Sequence, residues 1–265
     1  MLATRVASAL VFGPVLIAAG YFGGPLMWLL VGAVIVLGLL ELDRLFAHAG
    51  RRAPPLLTVP FGLAMAAAAA ARRPDLLPPL LTLALLVTAS APAVAPARLK
   101  AADGVASAFG VAYVGWLASH FILLRDLPGG VAPFFVALIG TWVFDSASYF
   151  AGRAFGRRKL VPATSPGKTV EGLVGGLFAG LPVVWWLASW WMEVGPGDAA
   201  VLAVVVVSAA QLGDLAESAL KRGAGLKDSG TLIPGHGGVL DRFDSLFWVM
   251  PAVYHILRAW LGVSG

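Results

Sequence analysis

Ionisable side chains are scarce in this chain, so those inside its apolar stretches ask for a chemical reason. In "QLGDLAESALKR", residues 211–222, Asp214, Glu217, Ser218 and Lys221 stand at i, i+3, i+4 and i+7. That spacing lines one face of a helix. Such a stripe is either a solvated face where a helix leaves a membrane, or one wall of a site. The second reading is favoured because the stripe runs directly into "KDSGTLIPGHGGVLDRFDS", residues 227–245.

That loop holds what a phosphate site needs. Gly235, Gly237 and Gly238 flank His236, and glycines let backbone N–H groups come close to an anion. Lys221, Arg222, Lys227 and Arg242 supply cationic donors. Asp241 and Asp244 lie three apart, one turn if a helix begins there, and with Asp214 could share a metal. Magnesium favours carboxylates, waters and phosphate oxygens, so the pattern points to a metal–polyphosphate site. Zinc does not fit, because there is no cysteine and no histidine cluster. His236 reads either as a loop hydrogen-bonder or as a general base.

A second polar stretch, "GRAFGRRKLVPATSPGKTVEG", covers residues 152–172. A basic anchor that attracts anionic head groups accounts for Arg157, Arg158 and Lys159. It does not account for Ser165, Lys168 and Glu171, which follow a Ser165-Pro166-Gly167 turn at the entry to a helix. Helix N-termini favour anions, and Ser165 with Lys168 would help hold one. The glycine spacing of a Walker A loop is absent. Asp145 is a further acid inside an apolar run, and so is Glu41, with Arg44 three residues on as its expected ion-pair partner. Glu41 is therefore read as structural.

The elements that must position these groups are membrane helices. Of 265 residues, 59% are hydrophobic and only 12% charged, about half the usual charged share of roughly 25%. Apolar runs of about 20 residues, enough to cross a hydrocarbon core of roughly 30 Å, follow one another. The expected fold is all-α, a polytopic integral membrane protein with about nine transmembrane helices near 6–23, 26–46, 55–71, 76–96, 104–124, 130–151, 170–192, 199–220 and 244–262. The third is the weakest, and its small residues suit close packing against the second as a hairpin. With the N-terminus cytoplasmic and the C-terminus outside, the outer set of Lys and Arg is Arg72, Arg73, Arg125 and Arg258 alone, as the positive-inside rule asks. Trp185, Trp186, Trp190 and Trp191 then form an interfacial belt on the outer face. The net charge of +5 reflects basic inner loops, so nucleic acid is not the expected partner. No internal repeat is evident, which argues against a transporter built from inverted halves. Residues 1–125 read as a membrane scaffold of about five spans. Residues 126–265 read as a catalytic region of about four spans with cytoplasmic loops 152–169 and 221–243.

At this point the residues meet a family. Ser218 to Asp244, "SALKRGAGLKDSGTLIPGHGGVLDRFD", resembles the signature of the phosphatidate cytidylyltransferases, also called CDP-diacylglycerol synthases. The shared elements are the serine, Lys221-Arg222, Lys227-Asp228, a Pro-x-His-Gly-Gly run and Asp-Arg-apolar-Asp. Gly213-Asp214-Leu215 with Glu217-Ser218 is similar to the family's lead-in helix, and "DSASYFAGR" and "SPGKTVEG" to its earlier cytoplasmic segment. Two features depart from it. Asp145-Ser146-Ala147-Ser148-Tyr149 stands where Asp-Thr-Gly-Ala-Tyr is usual, and Val170 where Trp is common. The likeness is specific over roughly 145–245. It implies that phosphatidic acid and CTP give CDP-diacylglycerol and pyrophosphate. It implies Mg2+ with a second cation such as K+, and a homodimer of nine-span protomers in the cell (inner) membrane.

The residue reading agrees with that reaction. A lipid phosphate monoester has a second pKa of about 6, so it is largely dianionic at neutral pH and needs no strong base. Anion attacking anion needs charge neutralisation, which metal and Lys/Arg donors provide. Asp214, Lys221, Asp241, Asp244 and His236 are the expected catalytic set, with Asp214, Asp241 and Asp244 at the metal. Asp145, Ser165, Lys168, Glu171, Ser218, Arg222, Lys227, Gly237, Gly238 and Arg242 are expected to bind substrate. The alternatives are a cytidylyltransferase for another lipid phosphate and a transporter of an anionic substrate.

Overall fold

A computed structural model describes residues 2–230, 237–259 and 262. Helices fill each interval in which the sequence predicts a span: α1 (Leu2–Phe22), α2 (Gly24–His48), α3 (Pro55–Ala70), α4 (Leu77–Val94), α5 (Ala101–Gly110) continuing through a π-helical stretch (Val111–Trp116) into α6 (Leu117–Arg125), α7 (Val131–Phe155), α8 (Val170–Trp191), α9 (Pro196–Gly223) and α10 (Leu240–Ala259). Among the described residues, six are long and apolar enough to cross a membrane: α2, the rod Pro74–Val94 that contains α4, the rod Ala101–Arg125, α7, α8 and α9. α3, with 16 residues, rises only about 24 Å at 1.5 Å per residue.

Among the described residues the helices are joined by loops and by one two-stranded hairpin. The 152–169 stretch is shorter than expected, because α7 runs on to Phe155. The remainder folds as β1 (Lys159–Val161) and β2 (Ser165–Thr169), antiparallel, with Lys159 opposite Thr169, Val161 opposite Ser165 and a bulge between. Ser165-Pro166-Gly167 is therefore strand and not a turn; the reversal falls at 162–164. Proline lacks an N–H and is tolerated on such an edge.

By contact the chain forms two compact units, residues 1–123 with 221–243, and residues 124–220 with 244–265. In the first, α2 and α3 pack together as expected. Gly62 of α3 is the point of closest approach, against Ile35 and Leu39 of α2 and the backbone of Gly115. Gly115 lies in the π-helical stretch, which interrupts the rod expected to be uniform over 104–124. Leu16, Met27, Ile35, Leu39, Leu42, Met65 and Phe121 of this unit are buried. Phe243 meets Phe12 and Phe121 edge-on at 5.2 and 5.6 Å.

In the second unit, α7 and α8 meet along a seam of small residues. A side chain at Gly172 would strike the Ser148 carbonyl, one at Gly175 would strike Ala151, and one at Gly176 would strike Ser148 and Phe144. Gly140 packs against Val184 of α8 and Val206 of α9. Close backbones of this kind are how helices associate where lipid tails remove the hydrophobic incentive. The tryptophans expected as a belt sit near the end of α8 and are partly exposed. Trp186 and Trp190 stack with centroids 5.5 Å apart, and Trp185 donates its indole N–H to the Pro196 carbonyl.

Candidate functional site: two clusters of carboxylates and cations

The first cluster belongs to the second unit. β2 delivers Lys168, whose Nζ lies 2.8 Å from Asp214 Oδ2 on α9. One turn on, Ser218 donates its hydroxyl to Asp214 Oδ1 at 3.3 Å. The face predicted at i, i+4 is therefore a wired one, and Asp214 is half-buried. Gly213, just before it, lets α9 close on α10: a side chain there would meet the Asp244 carbonyl and the Trp248 ring. Asp145 of α7 lies within electrostatic reach of Asp244, Asp214 and Lys168 and hydrogen-bonds the Ser245 side chain. Asp244 Oδ1 also accepts from the Ser245 N–H at 2.7 Å. Asp145, Lys168, Asp214, Ser218 and Asp244, separated by up to a hundred positions in the sequence, come together here.

The hairpin is held at its base. Glu171 Oε2 accepts from the backbone N–H groups of Arg157 and Arg158 at 2.9 and 3.1 Å, and Val170 N–H donates to the Arg158 carbonyl. Thr169 caps α8 by accepting from Gly172 N–H at 3.1 Å. In this arrangement Glu171 works on the backbone beneath the basic residues. Ser165 sits in β2, half-buried.

The second cluster belongs to the first unit. Lys221, at the end of α9, donates to Asp241 Oδ1 at 2.7 Å, with side chains only 14% and 8% exposed. Asp241 Oδ2 accepts from Gly238 N–H at 2.7 Å, Ser229 N–H at 3.0 Å and the Ser229 hydroxyl at 2.9 Å. Asp241 precedes the span expected at 244–262. The Lys221 ammonium and the Gly238 and Ser229 donors thus engage both of its oxygens. Gly237 has φ +85, and a side chain there would run into Asp241; one at Gly238 would run into Glu41 and Ser229. The close approach these glycines permit is thus toward the protein's own carboxylates. Arg222, Lys227 and Arg242 are exposed, and Arg222 Nη1 reaches the Leu226 carbonyl at 2.9 Å. His236 lies outside the described residues.

Glu41 is the residue that sequence reasoning misplaced. It is fully buried, whereas Arg44 is exposed. Its donors are Val239 N–H at 2.9 Å, Leu240 N–H at 3.0 Å and the Ser229 hydroxyl at 3.3 Å. A buried acid in a span was the available signal, but the i+3 arginine drew the reading to a local pair. Two other acids of this unit also tie backbone: Asp43 accepts from Ala53 N–H, and Asp103 from Arg52 N–H and Lys100 N–H.

Among the described residues no three His, Asp or Glu side chains converge tightly enough to cage a metal. Magnesium seldom needs such a cage, since it keeps waters and binds through one or two carboxylates plus substrate phosphates. The donor chemistry of Asp145, Asp214 and Asp244 beside Lys168 fits that mode. Asp241 has both oxygens engaged, and would ligate a metal only by releasing a partner.

The described residues thus form a membrane-like helical chain that gathers carboxylates and cations at polar breaks between apolar rods. The comparison with known proteins narrows this: the chain belongs to the cytidylyltransferase family, whose family model matches residues 3–260. It is 42% identical to the phosphatidate cytidylyltransferase of Bacillus subtilis over 151 residues, covering 55% of each chain. It is 49% identical to that of Haemophilus influenzae over 115 residues, covering 42% of this chain and 40% of the relative. It is 38% identical to that of Staphylococcus haemolyticus over 164 residues, covering 60% and 61%. The matches thus span about half the length of these curated relatives.

Proposed function

We propose that the protein transfers the cytidylyl group of CTP to phosphatidic acid, giving CDP-diacylglycerol and pyrophosphate. The observation that carries this is the Lys168–Asp214 contact, which seats a cation beside Asp145 and Asp244 in a chain of the cytidylyltransferase family. The names of the similar proteins supply the lipid substrate.

An oxygen of the lipid phosphate attacks the α-phosphorus of CTP, and the bond from that phosphorus to the bridging oxygen of the leaving pyrophosphate breaks. The nucleophile is largely dianionic at neutral pH, because its second pKa is about 6. No strong general base is required. What is required is neutralisation of two approaching anions. Lys168 serves the cluster of Asp145, Asp214 and Asp244, while Lys221, Arg222, Lys227 and Arg242 hold triphosphate or head-group oxygens. Magnesium held at Asp214 and Asp244 would supply the remaining positive charge. A second cation such as K+, and Asp241 as a further ligand, belong to the same reading. Ser165, Ser218, Gly237 and Gly238 line and shape the polar segments that bind substrate.

In this reading α1, α3 and α10 join the six long apolar helices as nine spans, with the N-terminus cytoplasmic, the C-terminus outside and the segments 152–169 and 221–243 on the cytosolic side, where CTP is. The same reading takes the protein to be a homodimer in the cell (inner) membrane. Residues 1–125 act mainly as scaffold and 126–265 as the catalytic region. The test is purified protein with labelled CTP, phosphatidate and magnesium, read as pyrophosphate release and CDP-diacylglycerol formation. No product with phosphatidate, but product with another lipid phosphate, would move the assignment to that substrate. Uptake into liposomes without nucleotide chemistry would replace it with transport.

A further inference from the structure

Glu41 sits seven residues before the end of α2 with none of its surface exposed. A carboxylate so placed in an apolar helix is strongly disfavoured unless donors surround it. Here they come from one short stretch nearly two hundred residues away. Oε1 accepts from Val239 N–H, and Oε2 from Leu240 N–H and the Ser229 hydroxyl. Leu240 opens α10, so the acid also meets the positive end of that helix. Gly230 and Gly238 press so close to the carboxylate that neither has room for a side chain. Asp241 grips the same two points from its own side, at Ser229 and Gly238. The two acids therefore clasp Ser229 and the backbone from Gly238 to Leu240 together.

We infer that Glu41 is a positioning residue for nucleotide binding: acting through Ser229 and the backbone from Gly238 to Leu240, it fixes these two points so that Lys227 and Arg242, which flank them, are presented to the triphosphate. This rests on the cytidylyltransferase reading above. It touches no substrate itself. Because Glu41 takes up the N–H groups at the start of α10, that helix end does not cradle phosphate, and the task falls to the side chains of Arg222, Lys227 and Arg242. A plain structural staple would leave substrate affinities alone.

The full-length protein in detergent or vesicles separates the two. Glu41→Gln puts an amide donor against one of three N–H or O–H donors. Its KM for CTP is expected to rise about tenfold while the KM for phosphatidate stays within about twofold. Trypsin cleavage after Lys227, which is exposed, is expected to accelerate severalfold. Ser229→Ala, which leaves every backbone bond in place, is expected to shift both readouts the same way by a smaller factor. A fall in kcat with both KM values unchanged would overturn the inference, since that is the signature of a reduced folded fraction. Wild-type protein that turns over no CTP would sink the functional reading alone; unchanged tryptic cleavage in Glu41→Gln would sink the clasp whatever the activity.

Discussion

Asp214→Asn is the substitution that weighs the proposed chemistry against mere architecture. It removes the charge facing Lys168 at 2.8 Å and weakens the acceptor used by Ser218 at 3.3 Å, while keeping the side chain's size. Both partners of the ion pair are partly open to solvent, at 21% and 31%. A pair of that exposure contributes about 0.5–1 kcal/mol to folding. For a chain of this length that is a shift of roughly 1–4 °C in Tm. If Asp214 instead organises the charges that stabilise the transferring phosphoryl group, turnover should fall about 100- to 1,000-fold, equivalent to about 2.7–4 kcal/mol. The two figures differ enough to decide. Pyrophosphate release and thermal unfolding would be measured on the same preparations of wild type, Asp214→Asn, Lys168→Met and the double variant. Residues that act as a unit give a double variant little worse than the worse single one. Turnover within about threefold of wild type, or a loss that simply follows a collapse in Tm, would refute the reasoning.

Three further outcomes are expected. Gly238→Ala, which forces a side chain against Glu41 and Ser229, should cost about 1–3 kcal/mol of stability and most of the activity, whereas Gly223→Ala, with open space around it, should unfold like wild type in thermal melts. Lys221→Met breaks a nearly buried pair and should destabilise by about 3–5 kcal/mol, well beyond Asp214→Asn. Chelation by EDTA should abolish product formation and added Mg2+ restore it, and activity that survives exhaustive chelation would remove the metal from the mechanism.

The sequence announced the helices and much of the chemistry, because both are local patterns. Apolar runs locate every rod, and the 3.6-residue period places Asp214 and Ser218 on one face of α9, where they bond. Two elements were not legible, for different physical reasons. Ser165-Pro166-Gly167 carries the strongest local turn signal of its loop, yet it is strand. Lys168 is drawn to Asp214, and Val170 N–H to the Arg158 carbonyl, and these fix the register over local preference. Glu41 has a plausible partner three residues on, and nothing in a single chain reveals that its real donors stand 198 and 199 positions later. α10 begins at Leu240, four residues before the span expected at 244, where that distant acid receives the N–H groups of its opening turn.

The discontinuity of the first packing unit bears on how the molecule is made. Its helices come from residues 1–123, but the piece that satisfies Glu41 comes from 221–243. At about 5–20 residues per second, the ribosome needs roughly 10–40 seconds to travel from Glu41 to Val239, 198 positions on. Throughout that interval the early helices stand in the membrane with a buried-to-be acid that has not met its donors. A chain stopped short of Val239 would leave Glu41 without its two backbone donors. The first unit becomes whole only when the segment bearing Lys221, Ser229 and Asp241 has been delivered.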